Sequence, residues 1–461
     1  MMDLASLLQP DKGQPAIPIL LIDKKGFEDW LKGQPHAVRQ MLAAQGFKGE
    51  AAQLAILAGK DAWSAALGVG NLDALGPWCL AKAAEALPEG SYRVEGRSPG
   101  PAALGWLLGQ YRFGRYKKET PAKGPRILLT DDPARTEETL LLAEATALVR
   151  DLVNIPAQDL GPQELEAAIS AAAKPCSAAL STTSGDRLAQ EFPMIHAVGR
   201  AAAADRAPRL IEVEWGDQRH PRIAIVGKGV CFDSGGLDIK PASGMRLMKK
   251  DMGGAAHALG LAMLIMRSRL PVRLHLLIPA VENAISGNAF RPGDVLKSRK
   301  GLTVEIGNTD AEGRLILADA LTRADEGNPE LIIDFATLTG AARVALGPDL
   351  PALFANDDAL AEALLASGQA VSDPIWRMPL WKSYEDMFSS DIADIGNASD
   401  QPMAGAVTAA LFLQKFVADG TPWAHFDTFA WRSSTKPGRP KGGEALGLRA
   451  AWHMLKARYT G

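Results

Sequence analysis

From about residue 190 onward the chain alternates between two kinds of segment, and this restricts its fold more than any other feature. Strand-like apolar runs occur at 210–214, 222–226, 273–278, 302–306, 331–335 and 423–426. Helix-like runs lie between them, including 254–267, 314–324 and 407–417. Strands separated by helices predict a mostly parallel central sheet with helices on both faces. Sheets of this kind form their active sites at the carboxyl ends of the strands. Charged segments fall at those ends.

The 461 residues are 47% hydrophobic, enough for a substantial core and for two or three domains. The part up to residue 135 is Ala-rich and punctuated by glycine and proline. Runs 17–22 and 126–130 read as short buried strands, and 36–45 and 73–87 as helices. This predicts a small N-terminal α/β domain over 1–135, with no catalytic constellation in it. A helical pattern over 133–152 carries Ala143, Ala147, Leu148 and Leu152 at helical spacing. It stops at Asn154-Ile155-Pro156, because proline disfavours helix in the residue before it. Residues 136–156 are therefore expected to be a linking helix and 157–461 a larger α/β domain. A further helix is expected to start near Pro162.

The net charge of −3 argues against a protein-wide electrostatic grip on nucleic acid. Three scattered cysteines, Cys79, Cys176 and Cys231, suggest no disulfide framework and fit a reducing compartment. The N-terminus lacks a basic-then-apolar signal pattern. The longest apolar stretch, 253–266, contains His257 and is too short to span a bilayer. A soluble, cytoplasmic protein without a membrane partner is expected.

Three segments supply the chemistry. GKGVCFDSGGLDIK (227–240) carries Lys228, Asp233 and Lys240; MRLMKKDMGGAAH (245–257) carries Asp251; NTDAEGRL (308–315) carries Asp310, Glu312 and Arg314. Alternate residues of an extended segment project to one side, so Asp310, Glu312 and Arg314 are expected to converge. For a single D-x-E the plain alternative is an acidic loop in water. Four carboxylates meeting at one sheet edge would repel, and two divalent cations are the simplest counter-charge. Oxygen-rich sites suit Mn²⁺, Mg²⁺ or Zn²⁺. No HExxH occurs, GxxxxGK[ST] is absent, and GKGVCFDSGG lacks GxGxxG spacing. Gly235 and Gly236, like Gly253 and Gly254, would let backbone come close to a ligand.

These residues resemble the leucyl aminopeptidase family, the cytosol aminopeptidases. NTDAEGRL matches that family's signature letter for letter. GKGVCFDSGG with DIK beyond it, LMKKDMGGAA, DFATLTGA at 334–341, PMAGAVTAALFLQKFV and WAHFDT agree as well. The resemblance covers about 140–450; upstream, only GWLLGQYRFGRYK looks familial. It implies that Asp233 and Glu312 bridge two metal ions, Mn²⁺ or Zn²⁺. Asp310 would hold the tighter ion, and Lys228 and Asp251 the more exchangeable one. Lys228 would then have to be a neutral amine, since an ammonium cannot ligate. Lys240 and Arg314 would be the non-ligand catalytic residues, with bicarbonate held at Arg314. Met248, Thr337 and Leu338, with Ala342 nearby, would form the pocket for the substrate's first side chain, of broad apolar preference. Peptides with a free N-terminus would be the substrates, and a homo-hexamer the assembly, with the N-terminal domain in an oligomer or regulatory role.

The chain departs from the family pattern at three places. Cys231 stands where Thr is more usual, Lys250 stands before Asp251 where a small residue is common, and 426–450 follows its own pattern. There Phe429, Trp431 or the basic run from Arg432 could reach the cleft, or form a solvated loop. Two other functions are carried along. One is a Cys-Gly type dipeptidase with the same machinery. The other is a DNA-binding accessory protein using Arg112, Arg115, Lys117 and Lys118.

Overall fold

The structure, a computed structural model, describes residues 3–60, 62–118 and 124–460, side chains 133 and 134 excepted. The chain divides into two compact units, Met1–Ala147 with Ser434–Lys441, and Leu148–Ser433 with Gly442–Gly461. The division falls within the long helix Pro133–Asn154.

The first unit is built on a six-stranded sheet. Its order is Leu8–Pro10, Arg126–Thr130, Gly90–Val94, Ile17–Asp23, Trp63–Val69 and Leu54–Ala58. Only the Leu54–Ala58 edge strand runs antiparallel to its neighbour. Tyr92 and Trp106 are fully buried in its core. The indole of Trp106 donates to the Arg126 carbonyl at 2.9 Å, so its polar edge is satisfied. The helix expected over 73–87 shrinks to Ala81–Ala86. Gly76-Pro77 holds the preceding stretch in turns, because proline restricts the residue before it.

The second unit carries the larger sheet, in the order Trp376–Arg377, Ala352–Ala355, Trp423–Asp427, Leu331–Ala336, Arg222–Gly227, Arg273–Asn283, Arg209–Trp215 and Ala179–Ser184. The four strands in the middle, Trp423–Asp427 to Arg273–Asn283, pair in parallel, and the antiparallel pairings lie toward the edges. This is the mostly parallel α/β architecture expected from the alternation. The central strands are sealed on both faces: Ile223–Val226 and Leu331–Ile333 are fully buried, as parallel strands under helices must be.

Three expectations need correction. The run 302–306 is a strand, Thr303–Glu305, but it belongs to a separate three-stranded sheet with Val295–Lys297 and Ile395–Gly396. The residues after it are also not extended. Asp310 lies in a turn and Glu312 is the first residue of the helix Glu312–Asp325. Their charges converge through a turn and a helix start, not through strand alternation. Asp251 likewise follows no strand; it sits in the 3₁₀ turn Met248–Met252 that leads into the helix Gly253–Arg267.

Candidate active site

A cleft of about 300 Å³ opens at the carboxyl ends of the central strands. Lys228, Asp233, Lys240, Met248, Asp251, Asp310, Glu312, Arg314, Thr337 and Leu338 all line it. These ten residues, all singled out from the sequence, are therefore brought to one place. Ala342 is not; it is buried in the core. A larger hollow of about 590 Å³, bounded by Trp215, His220, Met266 and Arg269, has one carboxylate, Asp217, already paired with Arg219 at 2.5 Å.

Lys228 is the single residue between the strands Arg222–Gly227 and Gly229–Asp233. Its backbone is pinned on both sides: its N–H donates to the Phe335 carbonyl at 3.0 Å, and its carbonyl accepts from Ala255 at 2.8 Å. The buried ammonium lies 2.7 Å from Asp251 Oδ2 and 3.0 Å from Glu312 Oε1. A Cβ on Gly313 would stand 2.5 Å from Lys228 Cε, so glycine beside Glu312 makes room for the lysine stem.

Asp233 ends its strand and is held by neutral donors. Asn283 Nδ2 and the Gly235 N–H each donate to Oδ1 at 2.9 Å. Gly235 and Gly236 both take positive φ, +89° and +65°, where only glycine is unstrained. That turn brings Lys240 back to the site. Its ammonium lies 2.8 Å from Asp233 Oδ2 and also pairs with Asp310. Asp251 accepts from Thr337 Oγ1 at 2.8 Å.

NTDAEGRL is shaped by its own polar side chains. Asn308 Oδ1 accepts from the Asp310 N–H at 2.7 Å. Thr309 Oγ1 donates to the Gly235 carbonyl at 2.7 Å, tying this turn to the glycine turn. Asn397 accepts from the Gly307 N–H at 2.8 Å and donates to the Asn308 carbonyl at 2.7 Å. The Arg314 guanidinium donates to the Asn397 carbonyl at 2.6 Å. Asn283, Thr309 and Asn397 were not singled out from the sequence. Asn283 could have been, since it ends a central strand.

The electrostatics follow from burial and proximity. Burial, then the Asp233 charge, push the Glu312 carboxyl up to about 8 against the opposing pull of Lys228. Burial and Asp233 also push Asp310 up to about 6. For Asp251 burial acts upward, but Lys228 and Lys250 outweigh it and hold the carboxyl low. Burial alone would lower Lys228 and Lys240; their carboxylate neighbours override it and raise both. Among the chain's own groups, then, Lys228 is an ammonium, unlike the neutral amine that metal ligation would require. Arg314 is partly buried, and that burial lowers it to about 10.

The donor set fits a divalent cation. Asp233, Asp310 and Glu312 each offer an oxygen, and all three atoms lie within 4.8 Å of one another. Among the described residues Oε2 of buried Glu312 accepts no hydrogen bond, and Oε1 has only the Lys228 ammonium beside it, at 3.0 Å, although an unsatisfied buried carboxylate oxygen is costly. Such atoms, aimed into a shared cleft, are what an oxygen-seeking ion uses.

The departures from the family pattern resolve as follows. Cys231 is buried behind the site, its thiol near the Gly229 carbonyl. Lys250 is buried and lines the cleft. Phe429 lies beneath both Lys250 and the cleft residue Arg343, 5.4 and 4.5 Å from its ring centre. Trp431 is buried and faces Lys249. Arg432 does not reach the cleft and is not solvated: it is buried, paired with Asp349 at 2.9 Å and Glu444 at 3.3 Å. Residues 434–441 belong to the first unit. Arg112, Arg115, Lys117 and Lys118 are exposed in that unit, with Arg112 donating to the Gly109 and Tyr111 carbonyls.

Comparison with known proteins agrees with this geometry. The family model described as the cytosol aminopeptidase family, catalytic domain, matches residues 147–451. A second, the M17 aminopeptidase N-terminal domain, matches 17–129. A probable cytosol aminopeptidase of Roseiflexus castenholzii is 43% identical over 369 residues, 76% of this chain and 75% of the relative. The crystal structure of cytosol aminopeptidase from Coxiella burnetii superposes with a TM-score of 0.93 at 47% identity, covering 98% of this chain and 99% of that one. The bottromycin maturation enzyme BotP, solved in complex with Mn, gives 0.86 at 32% identity, covering 97% and 100%. The chain belongs to the cytosol aminopeptidase family and is an aminopeptidase of the metallopeptidase class.

Proposed function

We propose that the cleft removes the first residue from peptides with a free N-terminus, using two divalent ions, Mn²⁺ or Zn²⁺. Asp233, Asp310, Glu312 and Asp251 would hold the ions, joined by Lys228 once its ammonium has given up its proton. When bound, the ions would supply Lewis acidity and an activated water. The observation that carries this reading is the cluster of three carboxylate oxygens, whose member Glu312 has an Oε2 without a hydrogen-bond donor among the described residues.

The chain's own groups divide the remaining work. Asp251, fixed by Thr337, would receive the substrate's α-amine on the Lys228 side, so that only the first peptide bond is presented. Fixing the amine makes attack effectively intramolecular. Lys240, ammonium in place, would stabilise the oxyanion that develops at the scissile carbonyl. Arg314 has a buried Nε with no partner among the described residues. Its fork would hold a planar oxyanion such as bicarbonate, able to carry a proton between water and leaving amine. Met248 and Leu338 are partly buried and give the cleft an apolar wall, which tolerates many first side chains because a methylene changes binding by only about 1–3 kcal/mol.

Among the described residues no helix is long and apolar enough to cross a membrane. A cytosolic hexamer, like a leucine-like preference, is part of the proposal; sedimentation would test the assembly. To test the chemistry, the protein is stripped with chelator, reloaded with Mn²⁺ or Zn²⁺ and assayed on leucine amide and on its N-acetylated form. Metal-dependent hydrolysis of the free amine alone is expected. Equal hydrolysis of the blocked compound would end the reading.

A further inference from the structure

Two cations in the cleft wall are not used by the chemistry above. The Arg343 guanidinium lines the cleft, is partly buried, and makes no hydrogen bond or ion pair with any described residue. It rests 4.5 Å from the ring centre of Phe429. Lys250 is nearly fully buried in the same wall. Its closest carboxylate oxygen is Asp251 Oδ1 at a long 3.5 Å, and Asp251 is already engaged by Lys228 and Thr337. Its ammonium lies 5.4 Å from the same Phe429 ring.

One phenyl ring therefore braces two positive groups on the wall that also holds Met248, Thr337 and Leu338. A cation over an aromatic face is stabilised modestly and keeps its donors free. A buried or half-buried guanidinium without an anion is an expensive arrangement unless something negative arrives. Arginine's fork matches a carboxylate, and such charge-assisted pairs are among the strongest hydrogen bonds. The apolar wall beside it suits the methylenes of a side chain that ends in charge.

We propose that Arg343, supported by Lys250 and Phe429, is a specificity-determining residue that receives a side-chain carboxylate on the substrate's first residue. Glutamyl peptides are thus a further substrate class, favoured over their neutral glutaminyl counterparts, beside the leucyl peptides that the apolar wall accepts. This rests on the aminopeptidase reading given above.

The test compares glutamic acid α-anilide, its neutral isostere glutamine α-anilide, and leucine anilide on the metal-loaded enzyme, for wild type, Arg343→Gln and Phe429→Leu. Wild type is expected to favour Glu over Gln by about tenfold or more in kcat/KM. Arg343→Gln should remove that preference, mostly through KM, and leave leucine anilide within about threefold. Phe429→Leu should weaken the preference in part. Equal turnover of Glu and Gln by wild type, or equal loss on Glu and Leu in Arg343→Gln, overturns the proposal. Failure of the aminopeptidase reading looks different: no metal-dependent turnover of any of the three compounds.

Discussion

Replacing Glu312 by glutamine should make the metal-stripped protein more stable while removing its activity. Glu312 is almost fully buried; its Oε1 faces the Lys228 ammonium at 3.0 Å, and its Oε2 accepts no hydrogen bond among the described residues. Burial, then Asp233, raise its carboxyl from the ordinary 4.5 to about 8, against the pull of Lys228. The folded chain therefore holds this proton more tightly than the unfolded chain does. Stability from this group is fully present below pH 4.5, falls as pH rises, and is lost once pH passes about 8. By pH 7 the accumulated cost is about 3 kcal/mol, comparable with a large core mutation. Glutamine keeps the shape and carries no charge, so it escapes the cost. In chelator, thermal unfolding followed by circular dichroism should show Glu312→Gln melting above wild type. The gap should widen from pH 5 to pH 8. Saturating Mn²⁺ should reverse the order, because a ligand at about 100 times its Kd stabilises wild type by about 3 kcal/mol, whereas the variant lacks a shared ligand. If the metal-stripped variant melts at or below wild type throughout pH 6–9, the assignment of Glu312 as a strained, cation-seeking carboxylate is wrong.

Other outcomes can be stated more briefly. Lys240→Ala and Arg314→Ala should each lower kcat by about 10²–10³ while metal content, read by elemental analysis, stays intact; equal loss of metal in both would contradict their proposed roles. Glu444→Ala removes the carboxylate that pairs with two buried guanidinium groups, Arg150 at 2.9 Å and Arg432 at 3.3 Å, and should cost about 3 kcal/mol in denaturant unfolding, Arg432 keeping its pair with Asp349. His425 Nδ1–H donates to the Asp334 carboxylate at 2.6 Å. Burial alone would lower its pKa, but the Asp334 charge and hydrogen bond raise it above the ordinary 6.5. Its stabilisation is therefore present below 6.5 and lost as pH rises through the raised value, and Asp334→Asn should flatten the stability profile in that window.

How much of this was legible before the structure depends on which force shapes each element. The central strands announce themselves because burial on both faces demands unbroken apolar runs, as in Ile223–Val226 and Leu331–Ile333. Ala179–Ser184 did not, because ALSTTS at a sheet edge is half exposed and largely polar. Gly229–Asp233 was hidden by Lys228, a charge in the middle of what reads as one segment. The cleft residues were legible as a set, since acids clustered in short motifs have few structural uses. Their mode of convergence was not. Asp310 and Glu312 meet through a turn stabilised by Asn308 and Asn397, and Asn397 lies 85 positions beyond Glu312, a partnership no local spacing reveals. Phe429 was legible as a departure, but its pairing with Arg343 and Lys250 depends on tertiary proximity.

The same distinction explains why the supporting residues are amides and hydroxyls. Asp233, Asp251, Asp310 and Glu312 face Lys228 and Lys240 at close range. Any cation entering among them changes every one of those Coulomb energies. A framework made of further ion pairs would shift with each such change. Asn283 on Asp233, Thr337 on Asp251, Thr309 on the Gly235 carbonyl and Asn397 on the 307–308 backbone carry no net charge. Their hydrogen bonds keep nearly the same energy whether the site is protonated, metal-loaded or filled with substrate. Neutral donors thereby fix the positions of the carboxylates, and the charges are left free to respond. A test follows from the argument itself. Asn283→Asp adds a fifth acid in nearly the same shape, and should disrupt Asp233 and metal affinity far more than Asn283→Ser, which keeps a neutral donor. Equal effects of the two would mean that shape, not neutrality, is what position 283 contributes.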